Sequence, residues 1–135
     1  MIPDPITTSN ISSFQISGDA CRQILQLDKN IRFACIIDFF GHAVATEYRE
    51  GLEPLLSRQE SELSYIQSIM RMNTRRSLET KLGRTIYSFT CYERVKRATI
   101  PLGRDHILII ALDLEADHDL IISEKILPLL GKRHY

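Results

Sequence analysis

Ile31-Arg32-Phe33-Ala34-Cys35-Ile36-Ile37-Asp38-Phe39-Phe40-Gly41-His42-Ala43-Val44-Ala45 carries the architecture of this chain. Ile31, Phe33, Cys35, Ile37 and Phe39 alternate with Arg32, Ala34, Ile36 and Asp38, the period of a strand with one very apolar face and one half-apolar face. Gly41 and His42 then turn the chain into a second strand, Ala43 to Arg49, so the stretch reads as a hairpin.

Upstream, Ala20, Ile24 and Leu27 recur at helical spacing, with Ser17 as a candidate cap and a stop near Asn30. Residues 1–16 are rich in Pro, Ser and Thr and read as a flexible leader ahead of a single domain over 17–135. They show neither the basic start and apolar run of a signal peptide nor an apolar stretch of membrane-spanning length. A soluble, cytoplasmic protein is the expectation.

Downstream, Gly51 and Pro54 mark a linker that leads into Ser57-Arg58-Gln59-Glu60, a capping box that opens a long helix. Gly83 supplies a stop after Leu82. At 100° per residue this helix carries two apolar faces. Leu63, Ile66, Met70, Leu78 and Leu82 make a broad one, expected to lie on a sheet, and Tyr65, Ile69 and Met72 project nearly opposite. The second face is either covered by a loop or by the first helix, or it is a partner-binding surface.

Thr85 to Tyr92 is β-branched and aromatic and predicts a third strand. Glu93 and Arg94 begin a tight turn into a fourth, Val95 to Leu102, and His106 to Leu112 is apolar enough for a central strand. Asp117 caps a last helix packed through Ile122, Ile126 and Leu129, with Pro128 loosening its final turn. The order is α, β-β, α, β-β-β, α, an α+β arrangement.

That order resembles the roadblock/longin superfamily of profilin-like domains over residues 17–130, and Ile36 to Ala45 resembles its opening strand, acidic and glycine turn, and return strand. The runs Glu50-Gly51-Leu52-Glu53-Pro54-Leu55-Leu56, Ile100-Pro101-Leu102-Gly103 and His106-Ile107-Leu108-Ile109-Ile110 are similar to those of an uncharacterised family of small archaeal proteins. The resemblance implies a five-stranded antiparallel sheet between a long helix on one face and terminal helices on the other. It also implies a homodimer or paralogue heterodimer, made by pairing third strands and packing long helices, that serves as a scaffold for a small Ras-like GTPase.

The third strand lacks the lysine, proline or bulge that usually blunts a sheet edge, which independently favours pairing with a symmetry mate. The expected interface is Tyr65, Ile69 and Met72 from the helix with Thr85, Tyr87, Phe89 and Cys91 from the strand.

Overall charge points to no partner, because 17 basic and 17 acidic side chains cancel among 135 residues. Locally, residues 71–104 hold nine basic and two acidic groups, while 105–125 hold six acidic groups and one basic. Arg71, Arg75, Arg76, Lys81, Arg84, Lys96 and Arg97 therefore form a candidate patch for an anionic partner. Neutralisation by the acidic segment is the plainer reading. Nucleic acid would also call for rings beside the cations, and only Tyr87 and Phe89 share a strand side there.

Enzymatic motifs are missing: the sequence has no phosphate-binding GxxxxGKS/T or GxGxxG loop, no GxSxG and no HExxH. No catalytic residue or cofactor is expected. Asp117-His118-Asp119 with His106 fits capping and solvated surface better than a metal site. Cys21, Cys35 and Cys91 lie far apart and fit buried free thiols in a reducing compartment. A sensory ligand pocket lined by Phe33, Cys35, Ile37, Met70 and Phe89 is the remaining alternative, although the same residues suit a closed core.

Overall fold

The computed structural model describes Ile16 and residues 18–131. In chain order the elements are α1 (Ala20–Leu25), β1 (Ile31–Asp38), β2 (Ala43–Tyr48), α2 (Arg58–Arg76), a short α3 (Glu79–Leu82), β3 (Ser88–Cys91), β4 (Lys96–Leu102), β5 (His106–Leu112) and a last helix, α4, over residues 118–129. The strands form one antiparallel sheet ordered β2-β1-β5-β4-β3. The expected α+β class and five-stranded sheet are observed, with apolar β5 at the centre and β3 at an edge. Ser17 lies outside the described residues, as does nearly all of the leader. Asp19 precedes the first helical residue, and the helix ends at Leu25 rather than near Asn30.

Alternation along the strands splits the core in two. Ala34, Ile36, Ala98, Ile100, Leu108 and Ile110 face α1 and α4, where they meet Ala20, Cys21, Ile24, Ile121, Ile122 and Ile126. Phe33, Cys35, Ile37, Ile107 and Ile109 face α2. Two free thiols, Cys21 and Cys35, are buried as expected, but Cys91 is exposed at the edge strand. Burial pushes the Cys21 thiol up to about 12, with Cys35 nearby adding to the shift.

The local signals account for the turns. Asp38 Oδ1 accepts from the amides of Phe40 and His42, each at 2.9 Å, and Gly41 takes φ +87°, which a residue without a Cβ adopts at least cost. The capping box is formed: Ser57 Oγ accepts from the Glu60 amide at 3.1 Å, and the Glu60 carboxylate accepts from the Ser57 amide at 2.8 Å. Asp117 caps α4 by accepting from the Leu120 amide at 3.1 Å. Within α4, residues Ile121–Ile126 widen into a π-helical turn just before Pro128, which lacks the amide a regular ladder would need.

The face assignment of α2 is reversed. Tyr65 and Met72 are buried against the sheet with Ile69 packed beside them, whereas Leu63, Ile66 and Met70 are exposed. Ser64 and Ser68 explain the choice. Both lie on the sheet-facing side, where small side chains let the helix approach, and their hydroxyls donate to the carbonyls of Ser61 (2.7 Å) and Ser64 (2.9 Å). Satisfied in this way, they can be buried at little cost.

The helix also ends earlier than expected. Thr74 Oγ1 donates to the Met70 carbonyl at 3.0 Å and Ser77 Oγ to the Thr74 carbonyl at 2.7 Å, and the chain tightens at Leu78 before α3 restarts. Leu78 and Leu82 are exposed beyond this break and cover no sheet. Strand β3 is half the predicted length. Thr85 lies ahead of it, its amide held by Glu79 Oε2 at 3.0 Å, so only four residues pair with β4.

Candidate interaction surfaces

The residues expected at an interface separate into three groups. Tyr65, Ile69 and Met72 belong to the core under α2, and Tyr65 and Met72 are too deeply buried to meet a partner. Tyr87 and Phe89 do share one side, but it is the side of α4. The Tyr87 hydroxyl donates to Asp119 Oδ1 at 2.7 Å, and Phe89 stacks on His118. The hydrogen bond to Asp119, with some burial, pushes the Tyr87 phenol up to about 12. Cys91 is exposed on the free edge, and Thr85 is half-buried in the preceding loop.

What α2 turns outward is the face the sequence pattern assigned to the core. Leu63, Ile66 and Met70 are 55%, 49% and 63% exposed, and the groove beside Ile66 is bounded by Phe40, His42 and Leu56. Phe40 is 84% exposed at the hairpin tip. Close packing of the hairpin on the helix sets this groove, since a Cβ on Gly41 would come within 3.3 Å of Ile66. Periodicity alone missed this surface because it ranks faces by size. The signal available was the pair Ser64 and Ser68, four residues apart and flanking Tyr65.

The seven basic residues do not form one patch. Lys96 and Arg97 are neighbours on β4 and so point to opposite faces: Lys96 Nζ donates to the Ala116 carbonyl at 2.7 Å on the α4 side, and Arg97 lies on the α2 side. Arg71 and Arg75 of α2 join Arg97 in a cleft beside β3. Arg76 turns the other way, its guanidinium 4.5 Å above the Phe39 ring, and donates to the Arg104 carbonyl at 3.2 Å. It shares a separate recess with Arg84, and Lys81 is exposed on α3.

Within the acidic segment, Asp113 pairs with arginines outside the basic segment, and the segment's one base, Lys125, pairs with Asp28. Asp113 accepts from Arg32 at 3.0 Å and from Arg49 at 2.9 Å, and Asp28 accepts from Lys125 at 2.8 Å. Burial works to raise the Asp113 pKa, but the two arginines hold it below the ordinary value. Asp28 is also held low, chiefly by Lys125. These bridges brace the sheet.

The residues proposed for a ligand pocket are also dispersed. Phe33, Cys35 and Ile37 are core on the α2 side, Met70 is on the outer surface, and Phe89 is on the opposite face of the sheet. Among the described residues no three His, Cys, Asp or Glu side chains gather as metal ligands, and no helix is long and apolar enough to cross a membrane.

Comparison with solved structures identifies the fold. The chain is similar to gliding protein MglB from Thermus thermophilus, with TM-score 0.64 and 15% identity over 90% of this chain and 87% of that one. A Roadblock/LC7 domain from Streptomyces avermitilis gives TM-score 0.63 and 12% identity over 82% and 88% of the two chains. An MglB with a tetrameric arrangement gives TM-score 0.66 and 16% identity over 96% and 95%. The architecture is thus that of the roadblock domains, as the element order implied. Neither a protein-family model nor a curated protein sequence matches the chain.

Proposed function

We propose that this protein is a non-enzymatic, self-associating interaction module whose outward α2 face receives a protein partner. The observation that carries the reading is the exposed apolar run Leu63, Ile66 and Met70, continued by Phe40 across the hairpin groove. An apolar surface of this kind on a helix backed by a rigid sheet suits protein recognition. Resemblance to the roadblock/longin superfamily makes a small Ras-like GTPase the partner of first choice.

Self-association is assigned to the β3 edge. Its four residues leave one row of backbone groups unpaired, and two copies related by a two-fold axis would complete each other's ladder. Charge along α2 supports this arrangement, with Glu60 and Glu62 near its start and Arg71, Arg75 and Arg76 near its end. Antiparallel juxtaposition of two such helices brings opposite charges together.

Light scattering tests the first part. A mass twice that of one chain is expected, and Cys91→Lys, which sets like charges at the paired edges, should return it to one. A wild-type monomer, or a dimer unaffected by Cys91→Lys, would remove β3 as the interface. Nucleotide-dependent capture of a small GTPase tests the second part: Ile66→Glu should abolish capture while leaving the mass unchanged. Equal capture by both proteins would clear α2's outer face of the role.

A further inference from the structure

The cleft between α2 and the β3–β4 hairpin is lined by three arginines, Arg71, Arg75 and Arg97, together with Ser88, Thr90 and Thr99. We propose that it is a binding site for a single phosphoryl group, either free phosphate or the phosphate end of a mononucleotide.

Charge balance is the first ground. Arg97 is half-buried beneath α2, and among the described residues neither it nor Arg71 nor Arg75 has a carboxylate within ion-pair distance. Three other half-buried cations have a carboxylate, since Arg32 and Arg49 share Asp113 and Lys125 holds Asp28, and two more, Lys96 and Arg76, donate to backbone carbonyls. A partly desolvated cation without a counter-charge is costly, and a like charge beside it adds to the cost. Burial accordingly weakens the hold of Arg97 on its proton, and Arg71 contributes repulsion in the same direction. A bound anion would reverse both effects.

Shape and donor type are the second ground. Guanidinium groups present paired N–H donors that match phosphate oxygens, and hydroxyls can donate to the oxygens left over. The lining residues that carry these donors come from three elements, α2, β3 and β4. Every ionisable side chain lining the cleft is an arginine except Tyr92, which leaves no acid there to repel a dianion. Strand β3 closes one wall, which limits the site to a compact group and leaves a nucleoside outside it.

The probes are inorganic phosphate and AMP, titrated calorimetrically and by thermal shift at constant ionic strength, with chloride as the balancing salt. Saturable binding of phosphate to the wild-type chain is expected, weakened at least about tenfold by Arg97→Gln and by Arg75→Gln, the loss typical of one charge-assisted contact. AMP binding as tightly as phosphate would assign the site to a terminal phosphate with its nucleoside outside; phosphate alone would assign it to the free ion. Both variants must match the wild-type circular dichroism spectrum in chloride, and Arg75→Gln, nearer the surface, serves if Arg97→Gln fails to fold.

The absence of saturable binding, or equal binding by the variants, overturns the proposal. So does a loss of dimer mass in the variants with no phosphate effect in the wild type, because the guanidiniums would then belong to the contact between copies. Arg71 and Arg75 enter both readings, because antiparallel α2 helices would set them against Glu60 and Glu62 of a second copy. Light scattering on each variant in chloride separates a lost contact between copies from a lost phosphate site.

Discussion

His118 lies flat against Phe89, with ring centroids 3.7 Å apart and planes 10° from parallel. This contact ties the first turn of α4 to the edge strand β3, and Tyr87 reinforces it through Asp119 two strand positions away. Phe89→Leu keeps most of the apolar contact but loses the stack, and should cost about 1 kcal/mol. Phe89→Ala should cost about 2 kcal/mol, scaled down from a fully buried phenylalanine because Phe89 is half-buried. Urea denaturation of the two variants measures the difference. Equal stability of Phe89→Leu and the wild type would mean that the stack contributes nothing beyond area.

The orientation of α2 is tested by two methionines two positions apart. Met72 is 1% exposed and Met70 is 63% exposed. Met72→Ala should destabilise by about 2–5 kcal/mol and Met70→Ala by no more than about 0.5 kcal/mol. The opposite ranking would restore the face assignment drawn from periodicity alone.

The capping box isolates a purely local contribution. Ser57→Ala removes the acceptor for the Glu60 amide and should cost about 1 kcal/mol, whereas Ser57→Asp should recover most of it. A thermal melt of the three proteins reads the effect. No recovery by aspartate would mean that the loss came from something other than the cap.

Acid sensitivity follows from Asp113 and Asp28, both held below the ordinary aspartate value of 3.8 in the folded chain. A carboxyl with a lowered folded pKa gives stability that is fully present above the unfolded pKa and lost as pH falls through the folded one. Stability should therefore decline below about pH 4. Asp113→Asn should be less stable at neutral pH and show a shallower acid decline, measured by urea midpoints from pH 7 to pH 2. An unchanged acid slope would assign the loss to other carboxylates.

Much of the architecture was legible because it rests on short-range chemistry. The period-two run from Ile31, the Asp38–Gly41 turn, the Ser57–Glu60 box, the apolar central strand and the Asp117 cap each announce themselves within a few residues. Misreadings arose where two local signals competed. On α2 both stripes were apolar, and the deciding feature was the size of Ser64 and Ser68 beneath them. The break after Arg76 came from hydroxyls that bond backward to carbonyls, an effect too weak to outweigh helical periodicity in a sequence reading.

The basic segment shows a different limit. Nine cations in thirty-four residues suggested one patch, yet strand alternation sends Lys96 and Arg97 to opposite sides, and helix rotation divides Arg75 from Arg76. Proximity in sequence is not proximity in space. The cleft that does form joins residues more than twenty positions apart.

The narrow apolar footprint of α2, Tyr65, Ile69 and Met72 bordered by two serines, has a consequence for motion. The opposite face of the sheet is sealed by a larger core from two helices, so the two layers should not exchange their amide protons at one rate. Amides of α2 should open by a lower-energy route than those of β1 and β5, and any protein seated on the outer face of α2 would clamp a layer that is otherwise lightly fastened.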